Sequence, residues 1–156
     1  MKKKQQKPIT VQVLNISKFL STPKYQTQGS AGCDLYADLV TPVFIPSGES
    51  KLISTGLKTI PPEGYCLRIL PRSGLAVKNI TCHPGLIDSD YRDEIKVLII
   101  NNSGRVFQVN GGDRIAQLVI QKVEQIEWDI LSKQGFEEIT EKEENNRKGG
   151  FGSTGI

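Results

Sequence analysis

The chain is a succession of short apolar alternations, each cut off by strong turn residues, and this pattern restricts it to a β-rich fold. Ile9-Thr-Val-Gln-Val-Leu14 alternates along its length, and residues 51–55, 65–70, 95–100 and 115–120 are further strand candidates. Between them stand Ser47-Gly48, Pro61-Pro62-Glu63-Gly64, Asn101-Asn-Ser-Gly104 and Asn110-Gly-Gly-Asp113, where Gly, Pro and Asn favour turns. Residues 95–100 are nearly all apolar, so this strand is expected to be buried on both faces. The one helix-like stretch is 73–79, about two turns. A β-sandwich or barrel follows. The 15 glycines and 8 prolines in 156 residues weigh against a helical bundle.

Residues 1–8 read as a basic solvated tail, since Met1-Lys-Lys-Lys-Gln-Gln-Lys7 lacks the apolar core of a secretory signal. Residues 9–136 hold the strand pattern and form the expected domain. Residues 137–156 are polar and then glycine-rich, too poor in core residues to fold alone, and are expected to form a flexible arm. Three cysteines, an odd number with no zinc-ribbon spacing, read as free thiols in a reducing compartment. The expected location is therefore intracellular, cytoplasmic or nuclear. With no apolar run of about 20 residues, no membrane partner is expected. Twenty basic against seventeen acidic residues give +3, too weak a balance to indicate nucleic acid.

Several chemistries are excluded. The chain has neither a phosphate loop of the Gly-x-x-x-x-Gly-Lys type nor a Gly-x-Ser-x-Gly elbow, and its one histidine, His83, cannot build a histidine metal site. Four polar, glycine-bearing clusters remain. Pro71-Arg-Ser-Gly-Leu75 follows a strand and opens the helical stretch, where Ser73 either caps the helix or joins Arg72 in cradling a phosphate. Gly85-Leu-Ile-Asp-Ser-Asp-Tyr91 places Asp88 and Asp90 on one face if extended, suited to a cation, a water or a plain surface turn. In Gly112-Asp-Arg-Ile-Ala-Gln-Leu118, Asp113 and Arg114 read as a surface pair and Gln117 as a strand residue. Gly149-Gly-Phe-Gly-Ser-Thr-Gly155 is able to wrap phosphates with its backbone.

Together with Ala31-Gly-Cys-Asp-Leu-Tyr-Ala37, these clusters resemble, in order, the five motifs of the trimeric dUTP pyrophosphatase (dUTPase) family. The resemblance runs from about residue 25 to the end of the chain. It implies a single jelly-roll-like all-β barrel with very little helix, and a homotrimer with active sites at subunit interfaces. It further implies an arm that closes a neighbour's site, and hydrolysis of dUTP to dUMP and pyrophosphate with Mg²⁺. That reaction limits uracil incorporation into DNA and supplies dUMP for dTMP synthesis.

The resemblance also assigns residues. Asp88 matches the carboxylate that activates the attacking water. An ordinary Asp is a weak base at neutral pH, so its main work is to orient that water. Arg72, Ser73 and Gly74 match the residues that hold the phosphates, joined by Gln117, Arg147, Gly152 and Ser153. Asp34 and Gln117 match contacts to the waters of a Mg²⁺ held mainly by the substrate. Tyr91 matches the ring beneath deoxyribose that excludes a 2′-OH. Cys82, Gly85, Leu86, Ile87 and the main chain of Lys96 match the uracil pocket, with residues 80–85 as its hairpin, and Phe151 matches its aromatic cover.

Three positions depart from the family pattern. Asn146 stands where an arginine is usual, with Arg147 one residue closer to Phe151; Asp93 replaces a glycine; Cys82-His83-Pro84 replaces smaller residues. The first two motivate an alternative, a dUTP-binding regulatory protein with weak or no catalysis. The related dCTP deaminases fit poorly, because this chain is short and ends in the dUTPase-type arm.

Overall fold

The computed structural model describes residues 8–17 and 22–142. Residues 1–7 of the basic tail, and Asn146, Arg147, Phe151, Gly152 and Ser153 of the arm, lie outside them.

The elements run β1 (Gln12–Asn15), β2 (Cys33–Tyr36), β3 (Val43–Ile45), β4 (Ser50–Ser54), β5 (Leu57–Ile60), β6 (Tyr65–Leu70), α1 (Ser73–Ala76), β7 (Ile80–Cys82), β8 (Gly85–Ile87), β9 (Lys96–Asn101), β10 (Phe107–Val109), β11 (Arg114–Lys122) and α2 (Lys133–Thr140). All pairings are antiparallel, in the orders β1-β5, β10-β3, β2-β11-β6-β8 and β4-β9-β7. The fold is jelly-roll-like and almost entirely β, as expected from the alternations. Its core takes the inward residues of every sheet, including Leu35, Ile45, Ile53, Leu67, Ile69, Ile80, Val97, Ile99, Val109 and Ile115.

Three expectations are adjusted. Strand β9 buries Val97 and Ile99, but Leu98 and Ile100 on its other face are only half-buried, and the neighbouring Leu52 on β4 is 59 % exposed. That outer face is therefore apolar and partly open in the single chain. The helical stretch after β6 contracts to one turn, Ser73–Ala76, and the turn that follows it closes at Asn79, whose φ of 57° lies in the left-handed region. A second helix, α2, begins before the expected boundary at 137, with Ser132 Oγ accepting from the Gly135 N–H as its cap. The compact unit holding the strands ends at Glu124, and residues 125–156 form a separate unit. Among the described residues no helix is long and apolar enough to cross a membrane.

Buried polar groups are placed with care. Asn101, at 0 % exposure, donates from Nδ2 to the carbonyls of Ile45 (2.8 Å) and Arg105 (2.7 Å), and its Oδ1 accepts from the Ser103 N–H and hydroxyl. One amide thus ties the ends of β3 and β9 to the turn between β9 and β10. Asn101→Ala should destabilise the fold by about 2–3 kcal/mol, because the Ile45 carbonyl stays buried without this donor. Urea unfolding of the two chains measures this directly, and an unchanged midpoint would refute it.

Candidate functional site

The row Leu70–Gln117–Asp34 crosses β6, β11 and β2 at one end of the largest sheet. Just past this row β6 ends at Pro71, and Arg72 turns back over Asp34. Arg72 Nε donates to Asp34 Oδ1 at 3.0 Å, and Arg72 Nη1 donates to the Arg114 carbonyl at 2.9 Å. Arg114 Nη1 approaches Asp34 Oδ2 at 3.4 Å. Asp34 is 7 % exposed, so one buried carboxylate is shared by two guanidinium groups. Gln117 Nε2 donates to the Pro71 carbonyl at 3.2 Å, pinning the strand end from which Arg72 departs.

These side chains line a cleft of about 290 Å³ together with Gln26, Ser30, Gly32, Ser73 and Gly74. Ser73 does not cap the helix: the N-cap is Arg72, which makes no side-chain cap. A Cβ added at Gly74 would meet nothing within 4 Å, so its own chain does not require a glycine there. The cleft thus presents guanidinium N–H groups, a hydroxyl and an open backbone, an arrangement suited to an anion with several oxygens.

Arg114 is the residue that the sequence reading missed. Its pairing with Asp113 does not form; the Asp113 carboxylate instead accepts from the Asn110 N–H at 2.7 Å and closes its own turn. Gly111 in that turn lies so close to Leu39 that an added Cβ would fall 2.2 Å from its carbonyl oxygen. The register of β11 against β2 then shifts between Arg114 and Ala116, a bulge that brings Arg114 and Gln117 to one cleft. Simple alternation would separate two residues three apart, and for that reason the pattern gave no signal.

Asp88 and Tyr91 sit elsewhere. Strand β8 pairs with β6 in the register Ile69↔Gly85 and Leu67↔Ile87, so it runs away from Arg72 and delivers Asp88 near the opposite end. Asp88 and Arg72 are separated by on the order of 20 Å of strand. The expected extended conformation does not form: the Tyr91 N–H donates to the Asp88 carbonyl at 3.2 Å, making a turn that takes Asp88 and Asp90 out of alternation. Asp88 is exposed. The Tyr91 hydroxyl donates to the Glu94 carbonyl at 3.1 Å. Asp93 has no left-handed φ and stands 3.8 Å from Lys58 Nζ.

The expected hairpin at 80–85 is opened. Strand β7 pairs with β9 and β8 pairs with β6, each at the edge of its own sheet, with no ladder between them. Two unpaired backbone edges therefore flank His83 and Pro84, beside Gly85 and the exposed Leu86, while Ile87 points into the core. The Cys82 side chain is buried, and burial pushes its thiol up to about 11, so only its main chain faces this opening. Lys96 Nζ is turned to Glu94 at 3.9 Å.

Among the described residues no three His, Cys, Asp or Glu gather as a metal site. Asp34 is the one carboxylate lining the cleft among the described residues, and the other oxygen donors there are the neutral side chains of Gln26, Ser30, Ser73 and Gln117. So sparse a set fits an ion that keeps most of its own shell, as Mg²⁺ does.

A family model for dUTPase matches residues 19–155. The deoxyuridine 5′-triphosphate nucleotidohydrolase of Fusobacterium nucleatum is 44 % identical over 137 residues, 85 % of this chain and 88 % of that protein. A mutant dUTPase from phage phi11 of S. aureus, described with a structural Mg(II) ion, superposes with a TM-score of 0.72 and 25 % identity, over 80 % of this chain and 97 % of that one. The dUTPase of Staphylococcus bacteriophage 80alpha with dUpNHpp shares the fold, with a TM-score of 0.80 and 23 % identity over 94 % of this chain and 99 % of that one.

Two consequences of the geometry are measurable. Asp34→Ala leaves both guanidinium groups without their carboxylate and should cost about 1–3 kcal/mol in urea unfolding. Arg114→Ala should weaken pyrophosphate binding roughly tenfold by calorimetry, since a charge-assisted contact is lost; equal affinity would remove Arg114 from the cleft's function.

Proposed function

The chain belongs to the dUTPase family, and on that premise we propose how its residues carry out the hydrolysis of dUTP to dUMP and pyrophosphate. The observation that carries the reading is the cleft in which Asp34 holds Arg72 and Arg114 at the end of β6. Its donors suit a polyphosphate, and the family match supplies the nucleotide. The triphosphate lies in this cleft, against Arg72, Ser73 and Gly74. The Ser73 hydroxyl has no other hydrogen-bond partner among the described residues, so it is available as a donor. Gly74, with nothing near its missing Cβ, lets the backbone approach a phosphate oxygen.

Asp88 orients the attacking water. The water oxygen forms a bond to the α-phosphorus, and the bond from that phosphorus to the bridging oxygen of the β-phosphate breaks. The water proton passes to the Asp88 carboxylate and pyrophosphate leaves with the bonding pair. Arg72 and Arg114 neutralise the charge that grows on it. Orientation of that water is the main contribution of Asp88.

The uracil ring lies against the open edges of β7 and β8, where the backbone at Cys82 and Gly85 reads its polar edge and Leu86 covers a face. Ile87 supports that wall from the core, and the main chain at Lys96 flanks it. Tyr91 lies under the deoxyribose. Phe151, Arg147, Gly152 and Ser153 of the arm complete the site in this reading. Mg²⁺, bound chiefly by the substrate phosphates, supplies charge neutralisation and a fixed phosphate geometry. Asp34 and Gln117 would reach it through its waters.

The assembly proposed is a homotrimer with sites between subunits. Its support is the separation of Asp88 from Arg72 along the β6–β8 ladder, too great for one chain to bring both to one phosphorus. The partly open apolar face of Leu52, Leu98 and Ile100 is a second support. Three free thiols support a reducing compartment, here proposed to be the cytoplasm. Of the two grounds for a non-catalytic binding protein, Asp93 has lost its force, because its backbone needs no glycine.

Asp88→Asn should lower kcat for pyrophosphate release from dUTP by a factor of about 10³ or more while leaving the unfolding midpoint in place. Unimpaired turnover would remove Asp88 as the water-orienting group. Arg72→Ala should be similarly impaired. When the two inactive variants are unfolded together in equal amounts and refolded, about a quarter of wild-type activity should return, because some interfaces then pair an intact Asp88 with an intact Arg72. A mixture as inactive as its components would contradict a shared site.

A further inference from the structure

We propose that Glu94 is a positioning residue that sets sugar selectivity through Tyr91, an inference that rests on the placement of Tyr91 beneath the deoxyribose. The Tyr91 hydroxyl is anchored on the Glu94 main-chain carbonyl at 3.1 Å, so the height of the ring follows the position of Glu94. The Glu94 carboxylate is itself gripped from two sides. Its Oε1 accepts from the Gly56 N–H at 2.9 Å, and its Oε2 lies 3.9 Å from Lys96 Nζ.

Gly56 is a firm support. It has a φ of 66°, and an added Cβ would fall 2.6 Å from both Asp38 Oδ2 and Ser17 Cβ. The turn between β4 and β5 that carries it is fastened to the same loop by two further bonds. Thr55 Oγ1 donates to the Ile95 carbonyl at 2.6 Å, and the Ile95 N–H donates to the Leu57 carbonyl at 2.8 Å. The main chain that carries the ring is tied in addition by Arg92, whose Nη1 donates to the carbonyls of Ser89 and Tyr91.

The path therefore runs from a rigid glycine turn, through one carboxylate, to the tyrosine hydroxyl. A ring that excludes a 2′-OH by closeness works only if it cannot retreat, since rejecting one added hydroxyl by contact alone is a weak discriminator. Glu94 holds the ring in place without touching the nucleotide. Its effect should appear in the comparison of two sugars and hardly at all in the chemistry of the preferred one.

The test is the ratio of kcat/KM for dUTP to kcat/KM for UTP, read by pyrophosphate release from the full-length chain. Glu94→Ala should lower this ratio roughly tenfold, with kcat for dUTP within about threefold of wild type. Glu94→Gln, whose amide oxygen still accepts from the Gly56 N–H, should keep most of the ratio. Tyr91→Phe should lose selectivity to a similar degree, and adding Glu94→Ala to it should cost little more, because the two changes break successive links of one path to the ring. A folded Glu94→Ala enzyme with the wild-type ratio overturns the proposal, as does full additivity of the two changes. If Glu94→Ala does not fold, Glu94→Asp decides, because the shorter chain withdraws its oxygen from Gly56 while keeping the charge; a wild-type ratio there overturns the proposal equally. Absence of wild-type turnover on dUTP would bring down the reaction assignment first, and this inference with it.

Discussion

Strand β11 pairs with β2 on one side and β6 on the other, and the placement of the cleft at Arg72 depends on it. Its nine residues bury Ile115, Ala116 and Leu118 in the core while Gln117 faces the cleft. A single register irregularity near its start then does what regular alternation cannot, bringing Arg114 to the cleft as well. Between these side chains the single carboxylate of Asp34 bridges two guanidinium groups that would otherwise repel, leaving one net positive charge. The arrangement is preorganised before any anion arrives, because the arginines have already lost their freedom to the ion pairs.

The segment that carries Asp88 is held by a different logic. Strand β8 is a short edge strand running antiparallel to β6, and its direction alone carries the motif with Asp88 away from the cleft. The same opening that leaves β7 and β8 unpaired with one another exposes backbone donors and acceptors. For an isolated sheet such edges are a liability, because their main-chain donors and acceptors are left unpaired. The loop after β8 gains its stiffness from contacts to the turn at Gly56 rather than from secondary structure.

Much of this was legible in the residues. The strand at 65–70 coincides with β6, and those at 51–55, 95–100 and 115–120 fall within a residue or two of β4, β9 and β11, because a half-buried strand must alternate. The strand at 9–14 appears later in the chain, at Gln12–Asn15, where pairing with β5 rather than apolar pattern sets its limits. The short strands β3, β7, β8 and β10 carry only three residues each, too few for any periodic signal. Helix α2 was hidden by the polarity of its residues. Arg72, Ser73, Gly74, Asp34 and Gln117 do meet in one cleft, whereas Arg114 was concealed by the bulge and Glu94 by the ordinariness of an acid in a loop.

By itself, then, the order of residues determined the β-rich class and the family to which the chain belongs. These follow from local chemistry: side-chain period, turn residues, and donors and acceptors spaced along a few residues of chain. Tertiary structure alone decided which groups share a cleft, that Asp34 serves two arginines, and that Asp88 stands apart from both. Those facts depend on strand register and direction, which arise from pairing between segments as far apart as β2 and β11. No short window of sequence contains that information.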